Sequence, residues 1–177
     1  MDVEVKICFS RSNTLLGEAI RSFTGGRVNH AFLAWIDPQF RIAVALGANP
    51  NGLTLSPYAR FLKPPEQVVC VFKPASGLWP GIRALAPLLD TPYDYGGVIA
   101  MSAVELVHRW LRQWLPNPWP SKRMFCSEYV RRVLKLSGLD PRGLEAVPVS
   151  STDPARLLHA VEADERFTLI KGGLSFE

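Results

Sequence analysis

The chain is poor in cysteine and histidine, with three of each among 177 residues. Cys8, Cys70 and Cys126 lie far apart and lack both a Cys-x-x-Cys pair and a spaced histidine pair. That argues against a disulfide framework and a zinc knuckle. A long apolar run is also missing. The longest stretch, Gly96 to Val107, contains Glu105 and runs into His108 and Arg109. A membrane span needs about 20 mainly apolar residues, so no transmembrane segment is expected. The first ten residues, MDVEVKICFS, carry acids where a secretory leader needs a basic start. A cytoplasmic location is the expectation.

Charge of one sign is only mildly in excess. Twenty Lys and Arg against sixteen Asp and Glu give +4 and a sequence pI near 9.1. The densest basic group is Lys122-Arg123 with Arg131-Arg132, and no basic run interleaves with aromatics as a single-strand binder requires. These charges read as a solvated surface, with no nucleic-acid partner expected.

What is present is an ordinary globular composition, 47% apolar and 20% charged. The length fits one domain over residues 1–177. Proline is enriched, at 15 of 177 residues against a usual ~5%, so sharply ended elements are expected.

Val3 to Phe9 alternates apolar with polar and predicts a strand. Ser12-Asn13-Thr14 offers N-cap chemistry before Leu15, Leu16, Ala19, Ile20 and Phe23, at helical spacing; Gly25-Gly26 ends that helix. Ala31 to Ile36 and Ile42 to Leu46 read as a hairpin turned at Asp37-Pro38-Gln39-Phe40. A short strand over Leu53 to Leu55, one helical turn from Pro57 to Phe61, and a strand from Gln67 to Lys73 follow. Trp79 to Leu89 is helical, with Pro87 bending or ending it. The longest helix is expected from Tyr93 to about Leu115, a third from Cys126 to Leu136 stopped at Gly138, and a last from Pro154 to about Ala163. Phe167 to Ile170 suggests a final strand. Strands first and helices second predict an α+β fold with one largely antiparallel sheet.

Cys126 lies in Met124-Phe125-Cys126-Ser127-Glu128-Tyr129-Val130, where loop gives way to helix. Free N–H groups and the positive end of the helix dipole lower a thiol's pKa there, and thiolate is the nucleophile. His30, in Arg27-Val28-Asn29-His30-Ala31, opens a strand directly after a Gly-Gly loop, and a thiol nucleophile needs such a rigidly held base. The bland alternatives are a buried structural cysteine and a capping histidine. His108 and His159 read as surface residues, and Cys8 and Cys70 as buried and unreactive.

The histidine precedes the cysteine, the reverse of the order in ordinary papain-like proteases. With Val28-Asn29-His30-Ala31 early, Pro92-Tyr93-Asp94-Tyr95 midway and Phe125-Cys126-Ser127-Glu128 late, the chain resembles the circularly permuted papain-like proteins of the NlpC superfamily. These include the YiiX-like hydrolases and lecithin:retinol acyltransferase-like relatives. The resemblance covers roughly Val5 to Leu139.

It implies a single permuted papain-like domain and a cysteine-dependent hydrolase of amide or ester bonds that uses no cofactor or metal. Cys126 would be the nucleophile, His30 the general base, and the Cys126 N–H an oxyanion donor. The substrate would be a small peptide, amide or lipid-like molecule, such as a cell-wall peptide or an acylated amine. Tyr93, Asn29 and Asn49 would contact substrate; for Tyr93 a packed aromatic opening a helix is the alternative.

One departure stands out. Relatives place a polar residue, often glutamate, on the strand after the histidine, and here that position holds Val44. The third member is then Asn49, Asn51, a backbone carbonyl, water, or nothing. Two further readings follow: an acyltransferase at a lipid surface, with Trp110, Trp114, Trp119, Arg109 and Arg112 making peripheral membrane contact, and an inactive binding domain of the same fold.

Overall fold

A computed structural model of the chain describes residues 3–94 and 124–170. The predicted Tyr93–Leu115 helix and its tryptophans, with His108, lie almost wholly outside the described residues.

The fold is α+β, as the strand-then-helix order predicts. Six strands form one antiparallel sheet: β1 (Lys6–Arg11), β2 (His30–Asp37), β3 (Ile42–Asn49), β4 (Gly52–Pro57), β5 (Gln67–Pro74) and β6 (Phe167–Leu169). Their order across the sheet is β4-β3-β2-β1-β5-β6. The first hairpin turns at Asp37, whose Oδ1 accepts from the N–H groups of Gln39 (3.0 Å) and Phe40 (2.9 Å). Strand β5 joins not its sequence neighbour β4 but the far side of β1. That crossover brings residues more than fifty positions apart into register.

Helix α1 (Leu15–Thr24) starts where Thr14 Oγ1 accepts from the Gly17 N–H and stops at Gly25, held left-handed at φ 65°. A single turn, α2 (Tyr58–Phe61), follows β4, and α3 (Trp79–Leu85) ends in a 3₁₀ turn at Ala86–Leu88 that includes Pro87. Helix α4 (Cys126–Leu136) lies against β2 and β3, and α5 (Pro154–Ala163) is capped by Asp153, which accepts from the Arg156 N–H at 2.8 Å.

Strand alternation sorts the core into two layers. Ala31, Leu33 and Trp35 of β2 face the helical layer and pack with Tyr129, Val130 and Val133 of α4. Phe32 and Ala34 face the other way, with Cys8, Ala45, Phe61 and Val71. Cys8 and Cys70 are both buried free thiols, and burial pushes the Cys70 thiol up to about 11. Among the described residues no helix is long and apolar enough to cross a membrane.

The helix that carries Cys126 is fixed by its neighbour in sequence, Ser127, and by Arg131. Ser127 Oγ donates to the Thr152 carbonyl at 2.7 Å. Arg131, 1% exposed, donates to the carbonyls of Leu144 (2.7 Å) and Val147 (2.8 Å), to Thr152 Oγ1 (2.6 Å) and to Asp140 (2.9 Å). One guanidinium thereby gathers the 140–152 segment around α4. Removing it strands several acceptors, each costing about 1–3 kcal/mol when left unpaired in the interior. Arg131→Ala should therefore lower the unfolding free energy by at least about 3 kcal/mol in urea titrations; a loss under about 1 kcal/mol would refute this role.

Candidate active site

The site is built at one end of the sheet, where β1, β2 and β5 lie side by side. Ser10 of β1 pairs directly with His30 of β2 and, past a register shift between Phe9 and Ser10, with Val68 of β5. Such a bulge re-aims the side chains beside it. Glu66, one residue before β5, sits in a turn closed by its N–H on the Lys63 carbonyl (2.9 Å).

These three side chains meet. His30 Nδ1 lies 2.6 Å from Glu66 Oε1, and Ser10 Oγ donates to the same oxygen at 2.5 Å. His30 Nε2 lies 3.1 Å from the Ala48 carbonyl of β3. The ring stacks on Phe61, with centroids 5.7 Å apart and planes 11° from parallel, and leans on Phe32. A carboxylate and a carbonyl only accept, so the ring faces an acceptor at each nitrogen. The orienting partner that the β3 position of Val44 does not supply is therefore Glu66, approaching from the opposite side of the sheet. Burial works to raise the Glu66 carboxyl. The bond and charge of His30, with the Ser10 hydroxyl, outweigh it and hold the group below the usual carboxylate range.

A cavity of about 570 Å³ opens beside this pair, lined by His30, Glu66, Asn29, Asn49 and Tyr93 among others. Four of the five residues expected at the site thus share one wall. Asn29 is structural there as well: its Oδ1 accepts from the Ser12 N–H (3.1 Å) and its Nδ2 donates to the Ser12 carbonyl (2.8 Å), clasping the β1–α1 loop. Only glycine fits behind it, since a Cβ on Gly17 would lie 2.5 Å from Asn29 Nδ2. Asn49 Nδ2 donates to Thr54 Oγ1 (2.9 Å), bracing the β3–β4 turn.

Cys126, the fifth residue, does not line the cavity and is 2% exposed. Its thiol lies against the N–H groups of Ala31 and Ser127 and the Tyr93 side chain. Tyr93 is placed by Leu53, whose N–H and carbonyl bond Thr91 (3.0 Å) and Asp90 (2.9 Å), and by a bridge to Met124. Gly52 is required at this approach, with φ 105° and room for no Cβ beside the Thr91 carbonyl. Tyr93 thus touches the thiol and also faces the cavity.

Both nitrogens of the His30 ring bond away from Cys126, Nδ1 to Glu66 and Nε2 to the Ala48 carbonyl. The ring also lies on the Phe32–Phe61 side of β2, whereas α4 packs on the Ala31 side. The Cys126 thiol reaches β2 at the Ala31 N–H. The helix start was expected to lower the thiol's pKa. Burial instead pushes it up to about 11, with Glu66 adding to the rise and the Ala31, Ser127 and Tyr93 bonds opposing it. Among the described residues no cluster of His, Cys, Asp or Glu is arranged to hold a metal ion. No protein-family model matches the chain, and no curated protein matches it in sequence.

A depressed carboxyl stabilises the fold above its unfolded pKa, and that contribution is lost as pH falls through the folded value. Glu66→Gln should therefore cost about 1.5–3 kcal/mol at pH 7, the range for a hydrogen bond to a charged group. The difference from wild type should shrink toward zero near pH 2–3, below the usual carboxylate range. Urea titrations at both pH values check this, and a gap that widens on acidification would contradict the assigned charge state.

Proposed function

We propose that the chain is a cysteine-dependent hydrolase of amide or ester bonds, with Cys126 as nucleophile and His30 as its base. The observation that carries this reading is the His30–Glu66 pair, an imidazole clamped by a carboxylate at the wall of a cavity. In a base the carboxylate fixes the ring and stabilises the imidazolium formed on proton transfer. Supporting it, Tyr93 joins the thiol to that cavity, and Cys126 heads a helix whose free N–H groups suit an oxyanion.

The reaction requires His30 Nε2 to leave the Ala48 carbonyl and present a free lone pair to the Cys126 thiol. The thiol proton then passes to the ring and the sulfur bonds the substrate carbonyl carbon. The leaving amine or alcohol departs with that proton, and water hydrolyses the thioester. Glu66 keeps Nδ1 throughout. A small peptide or acylated amine is the substrate class that this chemistry and the resemblance favour.

A second reading, a binding domain that has kept the fold without the chemistry, is favoured by the thiol's burial and by the Ala48 bond on Nε2. Alkylation separates the two. Iodoacetamide labelling across pH, with the modified residue located by mass spectrometry, should show Cys126 reacting with an apparent pKa below the ~8.5 of a free thiol. In His30→Ala the base is gone, so the profile should move up, to the free-thiol range or above it. A profile near 11 in both proteins would overturn the hydrolase reading and leave the binding domain.

A further inference from the structure

The cavity carries more positive charge than its His30–Glu66 pair uses. Among the described residues Glu66 is the only acid that lines it, and His30 is its partner. Two further cations, Arg60 at the end of α2 and Lys63 just beyond it, line the same cavity. Neither side chain has a hydrogen bond or ion pair among the described residues, and unlike the other unpaired cations of the fold these two face one cavity. Beside them the wall turns apolar at Ile20, Leu55 and Phe61.

We infer that Arg60 and Lys63 form an anion subsite that holds a carboxylate or phosphate on a small ligand, whose apolar part lies along Leu55 and Phe61. A guanidinium offers a planar fork of donors and an ammonium a compact point charge, and both suit an oxyanion. The surplus charge disfavours a cationic ligand in the same place. Calling the bound anion part of a substrate rests on the hydrolase reading; the binding itself does not involve the thiol.

The test uses the full chain and NMR titration with two probes, inorganic phosphate and N-acetylglycine. At least one should bind saturably and perturb the Arg60–Glu66 segment, and whichever binds tighter shows whether phosphate or carboxylate is the preferred group. Acetamide, which lacks the charge, should bind at least about tenfold more weakly, as should either anion to the Arg60→Gln/Lys63→Gln double variant; tenfold corresponds to 1.4 kcal/mol. Both positions are exposed, so the double variant should keep its wild-type unfolding transition; were it to unfold, the two single variants make the same comparison. Equal binding by wild type and variant, or no saturable binding of either anion, would overturn the subsite. So would binding to phosphatidylglycerol vesicles that neither small anion competes away, because the charge would then act outside the cavity. Cys126→Ala should bind the anions as wild type does. Anion binding with an unreactive thiol would remove the hydrolase reading alone, and an activated thiol without anion binding would remove the subsite alone.

Discussion

The site depends on one carboxylate. Glu66 Oε1 accepts from both Ser10 and His30, so three neighbouring strands converge on a single oxygen at one end of the sheet. Each donor answers a different need. Ser10 is fully buried and its hydroxyl requires an acceptor, while the bond and charge interaction with His30 outweigh burial and hold the carboxyl below its usual range. Without the histidine, the carboxylate would sit in the interior with burial opposing its charge. Without the carboxylate, the ring would keep its stack on Phe61 and its Ala48 bond but lose its orientation about Nδ1.

Cys126 illustrates two opposing effects on a thiolate. A helix start contributes on the order of 0.3–1 kcal/mol toward a negative charge, and the N–H groups of Ala31 and Ser127 add to it. Burial at 2% exposure removes the water that would otherwise solvate the anion, and the Glu66 charge nearby works in the same direction. Desolvation of a fully buried group shifts pKa by up to 3–5 units, more than the dipole can return. A helix N-terminus alone therefore does not activate a thiol buried as deeply as Cys126.

Most of the fold was legible because its signals are local. The Thr14 cap, the Asp37 hairpin, the stops at Gly25 and Gly138 and the Pro154 helix start all follow from chemistry within a few residues, and each described strand and α-helix overlaps the span its pattern predicts. Tyr93 and the residues Asn29, His30 and Asn49 were legible as a group because their motifs converge on one cavity. Glu66 was not, since a sequence-based search for the orienting residue runs along the strand after the histidine, and β3 offers only Val44. Glu66 reaches His30 through the crossover that seats β5 beside β1, together with the bulge at Phe9–Ser10. Pairing of that range leaves no local mark. The faces of β2 were equally hidden, because a motif fixes that a histidine starts a strand and not which side of the sheet its ring will take.

That choice of side decides how the site can work. The ring stacks on Phe61 while α4 packs on the Ala31 side of β2. Tyr93 bonds the Cys126 thiol and also lines the cavity, so one side chain borders both. Each nitrogen of the His30 ring faces an acceptor, Glu66 at Nδ1 and the Ala48 carbonyl at Nε2. Under the proposed reaction both side chains would have to change partners, the tyrosine yielding the sulfur and the ring yielding the Ala48 carbonyl, and that exchange is the step a ligand in the cavity would have to drive.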